Sequence, residues 1–282
     1  MKYKLSLIAF AALTSVAAQA ADWSDTALTY RHGSKFAEPY EGNDISKNVV
    51  GLNHVSGYKY GSNFFNVDML MSNSNDPASA NSTEGAREVY VVYRNTVDLE
   101  KATGKSFKTS GVRGLGVTAG FDFNTKTDAG YNSKKEMFVV GPTLMLDVPG
   151  FLNVSLLALA ESNAPSTATL TAKRYNYDTH AMLGLVWGTP FSVGSVPLSF
   201  EGFANFIAAK GKNEFGGDTK AETLIDMQVM YDMSSAVSAS KNTFKVGLEY
   251  QYWKNKFGND AGGAAGSGAF AKTPMIRAEY HF

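Results

Sequence analysis

From Thr273 to Phe282 the chain alternates without a break. Ile276, Ala278, Tyr280 and Phe282 fall on one side, and Arg277, Glu279 and His281 fall on the other. A period of two is the side-chain period of a β-strand. A strand in the wall of a transmembrane barrel turns apolar and aromatic groups to lipid and polar groups to a wet lumen, and this segment fits that division. Similar short alternating segments recur between clusters of Gly, Asn, Ser, Asp and Thr, which read as turns. They predict strands over 25–36, 46–57, 62–72, 86–98, 112–124, 135–147, 151–161, 174–187, 196–209, 221–232, 242–254 and 271–282. The expected fold is an all-β, antiparallel transmembrane β-barrel of about twelve strands, an even count as single-chain bacterial barrels require.

The connections fall into two sets. Those after odd strands, near 37–45, 73–85, 125–134, 162–173, 210–220 and 255–270, are mostly long and polar and read as extracellular loops. Some of those after even strands are tight, such as Tyr58-Lys59-Tyr60-Gly61 and Val148-Pro149-Gly150. The connection 99–111 is long for a periplasmic turn, and 188–195 and 233–241 are intermediate. The Ala/Gly/Ser stretch 261–269 reads as a flexible loop tip.

Parity assigns each side chain to a face. Ile225, Met227, Val229 and Tyr231 should meet lipid, with Asp226, Gln228 and Asp232 inside. Phe244, Val246, Leu248, Tyr250 and Tyr252 should face out, with Lys245, Glu249 and Gln251 inside. Val89, Val91 and Tyr93 oppose Glu88, Tyr90 and Arg94; Phe65, Val67, Met69 and Met71 oppose Asn66 and Asp68. Tyr177, Leu183, Leu185 and Trp187 oppose Asn176, Asp178 and His180, and Phe121 and Phe123 oppose Asp122 and Asn124. The competing reading is an exported β-sandwich or β-helix, whose solvated antiparallel face looks the same strand by strand.

The inward set contains the carboxylates Asp68, Glu88, Asp122, Asp178, Glu201, Asp226, Asp232, Glu249 and Glu279, against Arg31, Arg94, Lys245 and Arg277. Many should pair across strands, because like charges placed opposite one another are destabilising. Arg277 and Lys245 are candidate partners for Glu249 and Glu279. One reading is a ladder of charges that stiffens a narrow barrel. The other is a polar channel with a mild acidic bias, favouring cations or neutral solutes over anions.

Composition narrows the compartment. Lys2 and Lys4, the apolar stretch 5–18 and Ala18-Gln19-Ala20 make the three parts of a secretory signal peptide. Residues 1–20 are expected to be removed, leaving 21–282 as an outer-membrane β-barrel of a Gram-negative cell. The whole chain carries 26 Lys plus Arg and 26 Asp plus Glu; without Lys2 and Lys4 the balance is −2. That is too little to argue for a nucleic-acid polymer as partner. There is no Cys, hence no disulfide framework and no thiolate chemistry. The expected mature chain has no run of about 18 apolar residues, which excludes helical spans. His32, His54, His180 and His281 lie on different strands, and neither a G-x-S-x-G elbow nor an H-x-x-x-H spacing is present. No enzyme, cofactor or metal site is expected.

Five stretches resemble the nucleoside-specific outer-membrane channels of the Tsx family. They are Tyr30-Arg31-His32-Gly33-Ser34-Lys35-Phe36, Val92 to Leu99, Val140 to Gly150, Leu198 to Phe206, and Glu249-Tyr250-Gln251-Tyr252-Trp253. Their order and spacing carry the resemblance. It implies a twelve-stranded monomeric barrel in outer-membrane lipid. Through it nucleosides, or another small solute, would diffuse past aromatic and polar groups, with stacking worth ~1–3 kcal/mol per base. In the family the Phe matching Phe36 lines the path. Here Phe36 shares parity with Leu28 and Tyr30, so it reaches the lumen only if a bulge intervenes or the strand ends early. The candidate lining residues are Phe36, Arg31, Tyr90, Arg94, Glu201, Phe203, Asn205, Glu249 and Trp253. The alternative is a structural or adhesive barrel without transport.

Overall fold

The structure is a computed structural model that describes residues 21–166 and 173–282. The signal peptide expected over 1–20, and part of the loop expected near 162–173, lie outside the described residues. Thirteen strands are β1 Trp23–Phe36, β2 Ile45–Tyr58, β3 Gly61–Ser72, β4 Arg87–Asp98, β5 Val112–Thr127, β6 Glu136–Leu146, β7 Phe151–Asn163, β8 Tyr175–Asn176, β9 His180–Val193, β10 Val196–Ile207, β11 Glu222–Asp232, β12 Phe244–Lys254 and β13 Phe270–His281. Twelve close into an antiparallel ring. β1 to β7 pair in order, β7 pairs with β9, β9 to β13 pair in order, and β13 returns to β1. The two-residue β8 pairs only with the end of β7. A closed ladder leaves no unpaired edge within lipid, the condition a bilayer imposes on any strand that crosses it.

The exterior carries exposed Leu28, Leu52, Met69, Phe138, Val140, Leu156, Leu183, Val229, Leu248 and Ile276. On β12 the outward residues from Phe244 to Tyr252 occupy nine positions, within the ~9–11 residues that a tilted strand needs to cross a bilayer. No described helix is long and apolar enough to cross a membrane. This exterior is that of a barrel set in an outer membrane. Short turns such as Lys59-Tyr60 and Gly194-Ser195 gather at the rim where β1 begins and β13 ends, and long loops gather at the other rim. The short-turn rim is therefore periplasmic.

Two departures from the expected elements have local causes. The strand expected over 174–187 runs instead from His180 to Val193, and Tyr177 and Asp178 belong to the loop before it. The turn is just Gly194-Ser195, with Gly194 at φ 61°. Pro190 suggests a stop, yet β7 pairs β9 only as far as Gly188. Beyond that point β9 is an edge, where a missing N–H costs no ladder bond. The long connection after β4 folds into a helix, α1 Leu99–Thr103. Asp98 caps it by accepting from the backbone N–H of Glu100 at 2.9 Å and Lys101 at 3.3 Å, and Gly104 ends it at φ 73°.

Candidate functional site

Cross-strand register fixes which side chains share the lumen, because paired residues point the same way. One row runs Glu201, Gln228, Glu249, Met275, Gly33; another runs Asn153, Val186, Phe203, Asp226, Gln251. The facing expected from parity holds on β3, β4, β5, β11, β12 and β13.

On β1 the bulge is present. Register shifts between Gly33 and Phe36, and the extra residue turns Phe36 inward. It packs against Ile45, Val49 and Met275 at 5% exposure, with Lys47 Nζ 5.6 Å from its ring centre. Phe36 is therefore inside the barrel, but part of a packed cluster below the outer mouth.

The middle of the lumen holds a charge layer. Arg31 pairs with Asp68, and its Nη1 lies 3.5 Å from Glu249 Oε1. Arg277 donates to Glu249 at 2.7 Å and Glu279 at 2.6 Å. His281 links Glu279 to Asp25. Lys245 stands in register with Glu279 without an ion pair among the described residues; Arg277 has taken both carboxylates. Across β4 and β5, Arg94 donates to Asp122 at 2.5 Å and to the carbonyls of Tyr93 and Phe121, while Tyr90 donates to Asp122 at 3.0 Å.

The β7–β9–β10 wall differs. Val186 faces inward yet is 48% exposed, and Phe151 at the periplasmic end of β7 is 38% exposed. Phe203 lies in register between Val186 and Asp226, one position on each side separating it from the inward row of Glu201 and from Asn205. Glu201 accepts from Ser199 Oγ at 2.5 Å and from Gln228 at 3.4 Å. This part of the inward face sets apolar Val186 and Phe203 beside acidic Glu201, toward the rim that bears the short turns. Trp253 is inward and donates from its indole to Glu222 at 2.6 Å. Its ring is covered by Phe257, 4.9 Å away in an edge contact, and by the Lys256 ammonium at 4.7 Å.

Above these lies a group of residues the sequence reading missed. Glu38 in the first outer loop takes Lys47 at 2.6 Å, Lys256 at 3.1 Å and Lys126 at 3.6 Å. Asp76 takes Lys126 at 3.0 Å and Lys47 at 3.7 Å, and Asp128 takes Lys126 at 2.8 Å. Burial disfavours the Glu38 carboxylate, but the three ammonium groups hold it well below the usual range. Burial pushes the Lys256 ammonium down, against the pull of Glu38. Beside this cluster, Lys210 pairs with Glu161 at 2.6 Å and Lys135 lies 3.8 Å from the same carboxylate. Glu214 accepts from both Tyr131 and Tyr177, which corrects the lipid-facing placement of Tyr177. The ion pairs around Glu38 thus tie four loops together over the outer mouth, and the Glu214 hydrogen bonds tie in two more. Lys126 follows the parity of Asp122 and Asn124 and was findable, had the strand been carried past 124. Nothing in the local pattern marks Lys256 or Glu38.

No family model matches the chain, and no curated protein sequence matches it. Among solved structures it is similar to the KdgM porin at 8% identity, covering 91% of this chain and 99% of that one with a TM-score of 0.43. It is similar to the NanC porin at 12% identity, covering 92% and 99%, TM-score 0.45. It is also similar to the translocator domain of the autotransporter NalP from Neisseria meningitidis at 11% identity, covering 100% and 96%, TM-score 0.44. At these scores the likeness extends to general outline and not to solute.

Proposed function

We propose that this barrel is an outer-membrane channel for passive diffusion of small solutes, with nucleosides as the first class to test. The observation that carries the reading is the accessible inward face of β9 and β10. There Phe203 offers an aromatic surface, and Glu201 and Asn205 follow at the neighbouring inward positions. A base stacking on one ring gains ~1–3 kcal/mol, and carboxylate and amide groups accept from ribose hydroxyls. Such a site binds weakly enough for release, which throughput requires. Tyr90 and Arg94 on β4 form a charged stretch of the facing wall, and Arg31 on β1 meets Glu249 on β12 in the charge layer beside it. Phe36 and Trp253 would line the path only once the outer loops separate. The channel is expected to work as a monomer without a cofactor.

The test is single-channel conductance in a planar bilayer, titrated with adenosine, thymidine and a control sugar. Block by the nucleosides alone supports the full reading. Conductance without such block removes the nucleoside assignment and keeps the channel.

A second reading has its own support. The ion pairs that join four loops at the outer mouth suit a structural or adhesive barrel that does not transport. Absence of conductance, in wild type and in a variant with the Glu38 cluster broken, would favour it.

A further inference from the structure

One connection on the periplasmic rim is out of keeping with the rest. Between β4 and β5 the chain runs through 99–111, where the β2–β3 and β9–β10 turns need only 59–60 and 194–195. The segment is ordered. α1 is capped at both ends, and Thr109 and Val112 exchange backbone hydrogen bonds at 3.0 Å. The Asp98 N–H donates to the Tyr60 carbonyl at 2.8 Å, which sets the segment beside the β2–β3 turn. Together the two carry Lys59, Lys101, Lys105 and Lys108. Against them stand only Asp98, engaged in capping α1, and Glu100, 3.7 Å from Lys108. Lys59, Lys101 and Lys105 are exposed, and none has a carboxylate within 4.0 Å among the described residues. The other connections of this rim, 147–150, 194–195 and 233–243, hold one Asp and one Lys between them. The positive charge of the rim is therefore gathered at one place, and it is open to solvent.

Next to these lysines the outward wall has a recess of about 360 Å³, lined by Tyr58, Tyr60, Val97 and Ala102. Val97 stands in register with Val117, which is exposed on the lipid side, so the recess opens to lipid and not to the lumen. Asn95 donates to the Tyr58 hydroxyl at 3.0 Å and to Asn63 at 2.9 Å, and the Tyr93 hydroxyl donates to Asn63 at 2.7 Å. Tyrosine rings with their hydroxyls satisfied at the end of an apolar wall mark the level of the lipid headgroups. The Lys59 ammonium lies 4.9 Å from the centre of the Tyr60 ring, and Lys101 precedes Ala102 on α1. Unpaired ammonium groups thus sit at headgroup level beside an apolar slot. The slot takes an acyl chain and the ammonium groups take a phosphate. An excess of two positive charges, four Lys against Asp98 and Glu100, favours a lipid with net negative charge over a zwitterionic one.

We propose that the β2–β3 turn and the β4–β5 connection form a binding site for an anionic phospholipid of the periplasmic leaflet. Its acyl chain lies in the recess between Tyr60 and Ala102, and Lys59 and Lys101 hold its phosphate. Lys105 adds to the attraction. The site is on the outer surface of the barrel and does not depend on what crosses the lumen.

The experiment is native mass spectrometry of the folded barrel released from nanodiscs that hold equal parts of phosphatidylglycerol and phosphatidylethanolamine. Wild type is expected to retain phosphatidylglycerol over phosphatidylethanolamine by about fivefold or more, the effect of one lysine at an anionic surface. The double variant Lys59→Gln/Lys101→Gln should bring the two lipids to equal retention. Lys241→Gln, on another connection of the same rim, should leave the preference unchanged. Ala102→Trp fills the recess and keeps every charge, and should lower the phosphatidylglycerol retained. Heat-modifiable mobility shows that each variant is folded. Equal retention of the two lipids by wild type, or a preference unmoved in the double variant, overturns the site. Retention that inorganic phosphate abolishes and Ala102→Trp leaves intact shows an anion site without an acyl chain, and overturns the lipid assignment. Conductance plays no part in this readout, so the channel reading stands or falls separately.

Discussion

Arg277 reaches past its direct cross-strand partner to meet Glu249. It lies opposite Gly247, and its guanidinium donates at 2.7 Å to the carboxylate two residues further along β12. The missing side chain at 247 leaves the diagonal open. A Cβ there would also collide with Met230 Sδ and the Val229 carbonyl. Gly247→Ala is expected to destabilise the barrel by roughly 1–3 kcal/mol. Gly262→Ala, at a loop tip whose nearest neighbour is the Asp260 carboxylate, should be close to neutral. Unfolding temperature in detergent compares the two, and equal values would reject the packing described at Gly247.

Phe203 and Phe244 are aromatic residues of neighbouring structural context but opposite facing. Phe203 stands in register with inward Asp226, whereas Phe244 stands in register with outward Tyr280. Phe203→Ala should weaken nucleoside block by about fivefold or more, the loss of one stacking contact, while Phe244→Ala leaves it unchanged. Solute titration of single-channel current reads both. Equal effects would mean that the register of β10 or β12 is wrong.

Glu38 is the shared partner of three ammonium groups. Glu38→Gln leaves Lys47, Lys126 and Lys256 facing one another with Asp76 and Asp128 alone. Removing one member of a buried ion network costs about 3–5 kcal/mol, here concentrated on the docking of the first and last outer loops. Protease cleavage within 37–44 or 255–269 should become faster by an order of magnitude or more, and open-channel current should rise. Unchanged cleavage would show that the loops are held by other contacts.

The same carboxylate gives a pH dependence of defined sign. Its folded value lies well below the ordinary range, so its stabilising contribution is complete above the usual carboxylate pKa and is lost only as pH falls through the depressed folded value. The outer mouth should keep its protease resistance at mildly acidic pH and lose it in strong acid. Loss of resistance near the ordinary carboxylate pKa would contradict the ion-pair arrangement around Glu38.

Leu248 is 69% exposed on the lipid side of β12. Leu248→Arg near the middle of that strand should cost ~2–4 kcal/mol in a bilayer and lower the yield of heat-modifiable, folded barrel in membranes. Gln251→Arg, on the inward face, should not impair insertion. If both variants assemble equally, the outward face of β12 does not meet lipid.

The barrel wall was readable in the sequence because its information is local. Alternation at Ile225 to Asp232 or Phe244 to Tyr252 needs only neighbouring residues to assign a face. The outer mouth is different. Lys256 meets the Ala37 carbonyl at 2.8 Å and Glu38 at 3.1 Å across 219 and 218 residues of chain, a relation created by ring closure and loop folding. Phe36 is intermediate, since parity and a required bulge were both visible, but its burial under Lys47 depends on the loops. Tyr177 was misplaced for a similar reason. Alternation continued through a loop whose Tyr177 is fixed by Glu214 from another loop.

The pairing of β13 with β1 brings Asp25 beside His281, 256 residues away. That seam gains nothing until nearly the whole chain is in place, and the entropy of joining such distant ends must be met before any contact there contributes. Assembly is therefore expected to be slow and to finish at this seam, with the rims of β1 and β13 standing unpaired in the meantime. Unpaired strand edges adhere to one another. The time between export and closure, more than the strength of the finished wall, is then the interval in which this protein is most exposed to aggregation.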